Sequence, residues 1–258
     1  MPTKLPVGAK VKKAFITLTV LAAMPVAAAS AADMPMKSAA PVPYAAAYNW
    51  TGLYVGIQAG GAWGTERSTN ITGTTSVPPG FVGAATDLSG ALGGVYGGYN
   101  YQVNRYLVGI DGDFSWSGVT GTSTDIGPLN GHSLNHTDQM DWITSVTGRL
   151  GYTSDNWLLF AKGGWAWAKW AADTTNTLGA AFFGASISST IRDGWTVGAG
   201  VEYGFTSQVS LKLEYDYVGF QTSNFTSTDT SAAGAVTTPS HSATSSMNIF
   251  KGGLAARF

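Results

Sequence analysis

Cysteine is absent from this 258-residue chain. Its absence excludes a disulfide framework, a thiolate metal site, a thiol nucleophile and a lipid-bearing N-terminal cysteine. Charged residues are also scarce, at 11% of the chain, yet no apolar run long enough for a transmembrane helix follows the N-terminal region. A membrane protein built of helices is therefore not expected.

Basic residues are few once the N-terminus is set aside. The formal net charge is −1, and four lysines lie within the first thirteen residues, so the remaining chain has a net charge of −5. Nucleic-acid-binding surfaces are basic. No nucleic-acid partner is expected.

The N-terminus has the three parts of a secretory signal: the four lysines, an apolar run from Ala14 to Met24, and small residues up to Ala32. Residues 1–32 are predicted to be a signal peptide, cleaved after Ala31 or Ala32. Residues 33–49 are rich in Ala and Pro and are predicted to form a loose periplasmic tether. The predicted barrel domain comprises residues 50–258.

Eight runs in the remaining chain place an apolar or aromatic residue at every second position, which is the period of a β-strand. Each run is long enough to cross a bilayer when tilted. The runs are Trp50 to Trp63, Ala91 to Tyr101, Tyr106 to Trp116, Asp141 to Tyr152, Trp157 to Trp170, Trp195 to Phe205, Val209 to Phe220 and Asn248 to Phe258.

The connections between these runs are of two kinds. Three are tight turns, and four are long segments rich in Ser, Thr and Gly, at Gly64 to Gly90, Ser117 to Met140, Ala171 to Gly194 and Gln221 to Met247. Outer-membrane barrels have short periplasmic turns and long extracellular loops. The prediction is an all-β fold, an eight-stranded antiparallel up-and-down transmembrane β-barrel with four long extracellular loops, located in the outer membrane of a Gram-negative bacterium.

One face of each strand lacks charge across its middle and is predicted to meet lipid. The same face carries aromatic residues at both strand ends, which predicts two girdles at the membrane boundaries. The inner girdle comprises Tyr101, Tyr106, Tyr152, Trp157, Phe205 and Phe258, and the outer girdle comprises Trp63, Trp116, Trp142, Trp167, Trp195 and Tyr217. Lys169 shares this face near the outer end of its strand and is expected to reach toward lipid headgroups.

The opposite face carries five acids and five bases. They are Asp111, Asp113, Arg149, Lys162, Glu202, Lys212, Glu214, Asp216, Lys251 and Arg257. The interior of an eight-stranded barrel is barely wide enough for its own side chains, so charges there must pair. A salt-bridge network is predicted to fill the lumen, with Lys162 and Glu202 at similar depth.

A narrow polar conduit is the alternative to this filled lumen. It is suggested by inward small residues, namely Gly52, Gly56, Gly60, Gly94, Gly98, Gly198, Gly200 and Gly204. The filled lumen is favoured because of the size of the barrel.

Several segments resemble a known family. They are Asn49 to Gly56 (NWTGLYVG), Gly194 to Tyr203 (GWTVGAGVEY), Leu213 to Tyr215 (LEY) and the ending GGLAARF. These segments are similar to the porin-family small outer-membrane barrels of alphaproteobacteria, which are OmpA-like in fold and include Brucella surface antigens and Bartonella haemin-binding proteins. The resemblance implies that Phe258, with Phe250, Leu254 and Ala256 at alternate positions, is the signal for the barrel-assembly machinery. Gly252 departs from that pattern.

Residues for covalent chemistry are few. Ser133 beside His132, with Asp138 nearby, is the single hydrolase-like grouping, and a Ser/Thr-rich loop produces such a neighbourhood by chance. His132 and His136 are four apart, a spacing that faces one metal only on a helix. His241 is also placed in a loop. No catalytic, cofactor or metal residue is therefore assigned, and the protein is not expected to be an enzyme.

The expected function is structural, a barrel that supports envelope integrity and displays its loops for surface interactions. Passive transport of small solutes through the lumen is one alternative, and haemin or other ligand binding by the loops is another. The expected partners are outer-membrane lipid, lipopolysaccharide and the barrel-assembly machinery. The oligomeric state stays open, with a homo-oligomer among the options.

Overall fold

A computed structural model describes residues 48–73, 78–83, 85–126, 133–178, 181–226, 229–230, 236–238 and 240–258. Its strands are β1 (Gly52–Asn70), β2 (Thr86–Val103), β3 (Tyr106–Ile126), β4 (Ser133–Ser154), β5 (Trp157–Leu178), β6 (Ala181–Gly204), β7 (Val209–Phe220), β8 (Ser223–Thr226), β9 (Asp229–Thr230), β10 (Val236–Thr237) and β11 (Ser240–Arg257). The predicted signal peptide and residues 33–47 of the predicted tether lie outside the described residues. Within the described part, no helix is long and apolar enough to span a membrane.

Eight of these strands form a closed antiparallel ring. The order is β1-β2-β3-β4-β5-β6-β7-β11, and β11 pairs back onto β1 from Arg257 opposite Tyr54 to His241 opposite Asn70. The predicted eight-stranded up-and-down barrel is confirmed. Closure leaves the transmembrane part of the ring without the unpaired backbone groups of an open sheet, which a membrane does not tolerate.

Tight turns connect the strands at one end of the barrel. Asn104 follows β2 with φ of 57°, and Asp155 follows β4 with φ of 51°. Asn and Asp tolerate this left-handed conformation better than other residues with a side chain, and two-residue hairpins require it. This end is the inner, periplasmic rim, where both the first and the last strand of the barrel have an end.

At the outer rim, the strands continue far beyond the predicted boundaries. The predicted loops were therefore wrong in extent: only residues 127–132 separate β3 from β4, and only residues 179–180 separate β5 from β6. Outside the membrane both faces of a strand can be polar, so the apolar alternation stops while the backbone ladder continues. Thr and Ser sustain that ladder, and Thr has a high β-propensity.

Side-chain exposure separates the two faces of the wall as predicted. On β1, Leu53, Val55 and Ile57 are exposed, while Tyr54 and Gln58 between them are buried. The predicted girdle residues are exposed or half-buried on the outward face. From Tyr106 to Trp116 the chain advances ten residues, and at about 3.3 Å per residue and a tilt of about 40° this spans about 25 Å, the height of an outer-membrane apolar band.

The start of the barrel differs from the prediction. Trp50 was expected to open the first strand, and the preceding residues were expected to be loose. Instead β1 begins at Gly52, whose φ of +134° turns the chain, and both Tyr48 and Trp50 are buried, at 6% and 0% exposure. A Cβ at Gly52 would collide with the carbonyl oxygen of Phe258, so a residue with a side chain does not fit this turn.

Candidate functional site

The barrel interior is divided into layers, and on most strands charged or polar inward residues give way to apolar ones toward the outer rim. On β5 the order is Leu158 and Phe160, then Lys162, then Ala166, Ala168 and Trp170, all buried. On β11 it is Arg257 and Lys251, then Ile249 and Met247. We name these the inner aromatic layer, the charge layer and the outer apolar layer. An outer polar cluster lies beyond them.

The inner aromatic layer fills the periplasmic end. It consists of Tyr48, Trp50, Leu107, Leu158 and Phe160. The guanidinium carbon of Arg149 lies 3.7 Å from the centre of the Phe160 ring. Such a cation–π contact stabilises a guanidinium that has been removed from water.

All ten residues predicted for the lumen lie buried inside the barrel, and they form two groups. The group nearer the inner rim centres on Glu202. Its Oε2 lies 2.6 Å from Arg149 Nη2, and its Oε1 accepts a 2.6 Å hydrogen bond from Ser210 and lies 3.7 Å from Arg257 Nη2. One carboxylate thus serves two guanidinium groups.

The second group joins three lysines to four carboxylates. Glu214 is its centre, with its carboxylate oxygens 2.8 Å from Lys162 Nζ and 3.1 Å from both Lys212 Nζ and Lys251 Nζ. Lys251 also lies 2.7 Å from Asp216 and 3.5 Å from Asp113. Asp111 completes the group, 3.8 Å from Lys162.

The predicted similar depth of Lys162 and Glu202 was wrong. The register of β5 and β6 sets Lys162 opposite Gly198 and sets Glu202 opposite Leu158, so Glu202 lies four residues closer to the inner rim. Strands in a barrel are staggered by its shear, and the sequence does not specify that stagger. Lys162 therefore pairs with acids on β7 and β3.

Aromatic rings occupy the space beside several of the inward glycines. A Cβ on Gly56 would lie 2.6 Å from the Tyr96 ring, and one on Gly98 would lie 2.6 Å from the Tyr54 hydroxyl. Tyr54 donates a 2.6 Å hydrogen bond to Asp111, and Lys212 Nζ lies 3.6 Å from the centre of the Tyr96 ring. These glycines therefore make room for tyrosines, whose rings were not among the residues predicted for the lumen.

The outer apolar layer closes the charge layer on its other side. It consists of Ala62, Leu88, Leu92, Val119, Met140, Ile143, Ala166, Ala168, Trp170, Val218, Phe220, Met247 and Ile249. Trp170 and Phe220 meet edge to face, with centroids 5.6 Å apart. A small cavity between this layer and the charge layer is lined partly by Asp113, Ser145 and Asp216.

The outer polar cluster lies within segments that were predicted to be loops. Arg192 donates two hydrogen bonds to Glu66, of 2.7 and 3.1 Å, and Asp138 is buried near them. Burial raises the pKa of both Glu66 and Asp138, and the positive charge of Arg192 opposes that rise. This cluster was missed because apolar alternation, the signal used to find strands, is absent there.

The hydrolase-like grouping is not assembled by the described residues. His132 lies outside them, while Ser133 and Asp138 have opposite parity on β4 and so face opposite sides of the wall. His136 lies with its Nε2 3.8 Å from Asp125. Within the described ranges, no group of three or more His, Asp or Glu side chains is arranged to hold a metal ion.

Acidification is expected to weaken the outer part of the barrel through His241. Burial and the like charge of His136 lower the pKa of His241 from its ordinary 6.5, so the unfolded chain binds a proton more readily than the folded one. Stability is therefore lost as the pH falls below 6.5. Thermal unfolding midpoints measured from about pH 7.5 to about pH 5 should fall less in a His241→Gln variant than in the wild type. Equal falls in both proteins would contradict this assignment.

Lys169 does not reach toward lipid as expected. Its Nζ lies 3.1 Å from Asp141 on the neighbouring strand, and 42% of its side chain is exposed. The pair lies close to Trp167 and Trp142 of the outer girdle. A carboxylate on β4 is thus a partner for Lys169 within the protein.

A family model described as an outer membrane protein beta-barrel domain matches residues 16–238. The chain belongs to this family. A relative, the 31 kDa outer-membrane immunogenic protein of Brucella melitensis, is 32% identical over 234 residues, which cover 84% of this chain and 91% of the relative. The 22 kDa outer membrane protein of Rhizobium leguminosarum is 29% identical over 71% of this chain and 70% of its own. Membership confirms the resemblance to alphaproteobacterial barrels and the location in the outer membrane.

Among solved structures, the outer membrane protease OmpT from Escherichia coli is similar in fold. The TM-score is 0.51 at 9% sequence identity, covering 80% of this chain and 97% of that chain. Identity this low shows a shared fold alone. The Brucella and Rhizobium relatives of this family carry outer-membrane or immunogenic names and no enzymatic one.

Proposed function

We propose that this family member is a structural barrel that supports envelope integrity and presents its outer wall for surface interactions. The observation that carries the proposal is the layered interior. The outer apolar layer covers a charge layer in which lysines and arginines face carboxylates at 2.6 to 3.8 Å, and the inner aromatic layer packs around its Glu202 group. Such a filling favours rigidity over permeation, because an ion would have to displace paired charges and then pass an apolar layer.

The alternative of passive transport finds less support in these contacts. Several of the inward glycines that suggested a conduit lie against rings, such as Gly56 against Tyr96, Gly200 against Phe160 and Gly204 against Tyr48. Side chains filling the barrel are also what the diameter of an eight-stranded ring favours.

Planar-bilayer recordings test the sealed interior. The refolded wild-type barrel is expected to show no discrete conductance steps at either polarity, because paired charges fill the lumen and the outer apolar layer covers them. A barrel of known conductance recorded in the same lipid is the control for insertion. Reproducible unitary steps from the wild-type protein would contradict the proposal and favour solute transport.

Haemin binding by the outer region remains a second proposal with weaker support. His136 and His241 have inward parity on β4 and β11, so their imidazoles point into the outer part of the barrel interior, where 30% of the His136 side chain is exposed. A haemin iron bound by either histidine would have to enter that end of the barrel.

The proposed partners are lipid, lipopolysaccharide and the barrel-assembly machinery, and each would contact the outward face of the barrel wall. The apolar band between the girdles fits outer-membrane lipid, and lipopolysaccharide would meet the wall above Trp63 and Trp116. Phe258 is 77% exposed at the inner rim, with Leu254 and Phe250 exposed on the same face. An exposed C-terminal phenylalanine is accessible to the barrel-assembly machinery, in line with its proposed role as an assembly signal. A homo-oligomer also stays a proposal.

A further inference from the structure

The residues immediately before β1 fold back into the periplasmic mouth. The rings of Tyr48 and Trp50 pack against each other at a tilt of 48° with centroids 4.4 Å apart, and Asn49 between them is exposed. The backbone nitrogen of Trp50 donates a 2.9 Å hydrogen bond to Gln102 Oε1, and the backbone nitrogen of Gln102 donates a 3.0 Å bond to Thr51 Oγ1. The segment is therefore held by a reciprocal pair of hydrogen bonds to β2 as well as by its rings.

The surface that receives these two rings is assembled from β3, β5 and β6, while Gln102 of β2 and Arg257 of β11 contact the segment from the other side of the ring. Leu107 comes from β3, Leu158 and Phe160 from β5, and Gly204 from β6, where a Cβ would collide with the Tyr48 ring. These strands face a common interior only when the sheet has curled into a barrel. The receiving surface is therefore a property of the closed ring.

Arg257, the last residue of β11, links the two rings to the seam where the barrel closes. Its guanidinium carbon lies 4.8 Å from the Trp50 ring centre and 5.4 Å from that of Tyr48. Its side-chain nitrogens are buried and make no hydrogen bond among the described residues, apart from the 3.7 Å ion pair with Glu202. The two aromatic faces are thus a main source of stabilisation for this cation.

The pairing between β1 and β11 extends to the inner rim through a further backbone hydrogen bond. The backbone nitrogen of Phe258 donates a 2.9 Å bond to the carbonyl of Leu53, and Gly52 makes the turn between the inserted segment and β1. The first strand, the last strand and the inserted segment therefore meet at one point of the structure. Unzipping β1 from β11 would require Trp50 to leave its pocket or to lose its contact with Arg257.

We propose that Tyr48 and Trp50 form a clasp that docks into the mouth after ring closure and locks the seam between β1 and β11 from inside. The clasp is distinct from the assembly signal at Phe258, which faces outward. The proposal gives a stabilising role to the end of the predicted tether, which was expected to be a loose segment. The role concerns the lifetime of the folded barrel and does not depend on whether the lumen conducts.

Unfolding kinetics test the lock. A Tyr48→Ala/Trp50→Ala double variant, refolded in detergent, is expected to unfold at least about tenfold faster than wild type when heated in SDS, because two buried rings and a cation–π contact are lost at the seam. Tyr106→Ala is the matched control, since Tyr106 lies at the same rim with its ring exposed to lipid. An unfolding rate for the double variant equal to that of the control would overturn the proposal.

The order of docking is tested on the wild-type chain. This measurement does not require the double variant to fold. Pulsed hydrogen–deuterium exchange during refolding should show the amide of Trp50, which donates to Gln102, becoming protected together with or after those along the β1–β11 seam. Protection of Trp50 before the seam would show that the segment docks on an open sheet. That result would overturn the proposed order.

Discussion

Replacing Glu214 with Gln is expected to lower the free energy of unfolding by about 3 to 5 kcal/mol, the range for breaking a buried ion pair by removing one partner. The carboxylate of Glu214 lies within 3.1 Å of the ammonium groups of Lys162, Lys212 and Lys251. Gln keeps the shape of the side chain but removes the negative charge. Three buried cations would then share Asp111, Asp113 and Asp216.

Urea unfolding of the refolded barrel, followed by tryptophan fluorescence, measures this loss. Lys169→Met is the control, because it removes one charge of an exposed pair with Asp141. Exposed ion pairs contribute about 0 to 1 kcal/mol, so the control should unfold close to wild type. A Glu214→Gln variant as stable as the control would mean that the buried charges do not depend on this carboxylate.

Truncating Trp170 to Ala is the second substitution with a large expected effect, a loss of about 3 to 5 kcal/mol. Trp170 is 1% exposed, packs edge to face on Phe220, and lies 5.1 Å from the guanidinium carbon of Arg192. The variant would leave a cavity in the outer apolar layer and remove a contact that stabilises the outer polar cluster.

The matched control for this variant is Trp167→Ala on the same strand. Trp167 faces outward and is 36% exposed, so its truncation leaves the interior packed. The difference between the two variants in urea isolates the contribution of the outer apolar layer. A smaller loss for Trp170→Ala than for Trp167→Ala would contradict the assignment of Trp170 to a packed interior.

Within the membrane, the period of two was enough to predict the wall. Outward positions that face lipid are mostly apolar, because charged side chains are destabilising there. Residues such as Leu53, Val55 and Ile57 therefore identify both the strand and its outward face. The same parity placed the ten charged residues inside. Closure of the ring followed from strand number and from the need to satisfy backbone groups.

Outside the membrane this signal disappears, and the prediction of the outer region was less accurate. Glu66, Asp138 and Arg192 were assigned to loops because their neighbours are Ser, Thr and Gly. Water accepts polar side chains on both faces of a strand, so no alternation marks the extensions of β1, β4 and β6. The fold there depends on backbone pairing with neighbours that are distant in sequence.

The partner of each charged residue inside the lumen also could not be predicted from the sequence. Parity states which residues point inward, whereas the partner of each charge depends on stagger and on the rings of Tyr54 and Tyr96. The tyrosines could have been found, since both share a face with the glycines beside them. The clasp could not, because nothing in the sequence near Tyr48 indicates that the chain turns inward before Gly52.

Ion pairs that cross the barrel interior between distant strands have a mechanical consequence. Arg192 on β6 holds Glu66 on β1, and Lys251 on β11 reaches Asp113 on β3, so each pair joins strands three places apart on the ring. A hollow tube flattens under sideways load, since its wall bends before its length changes. Ties across the bore oppose that flattening at two heights, and the cross-section should therefore stay round as lateral pressure in the surrounding membrane varies.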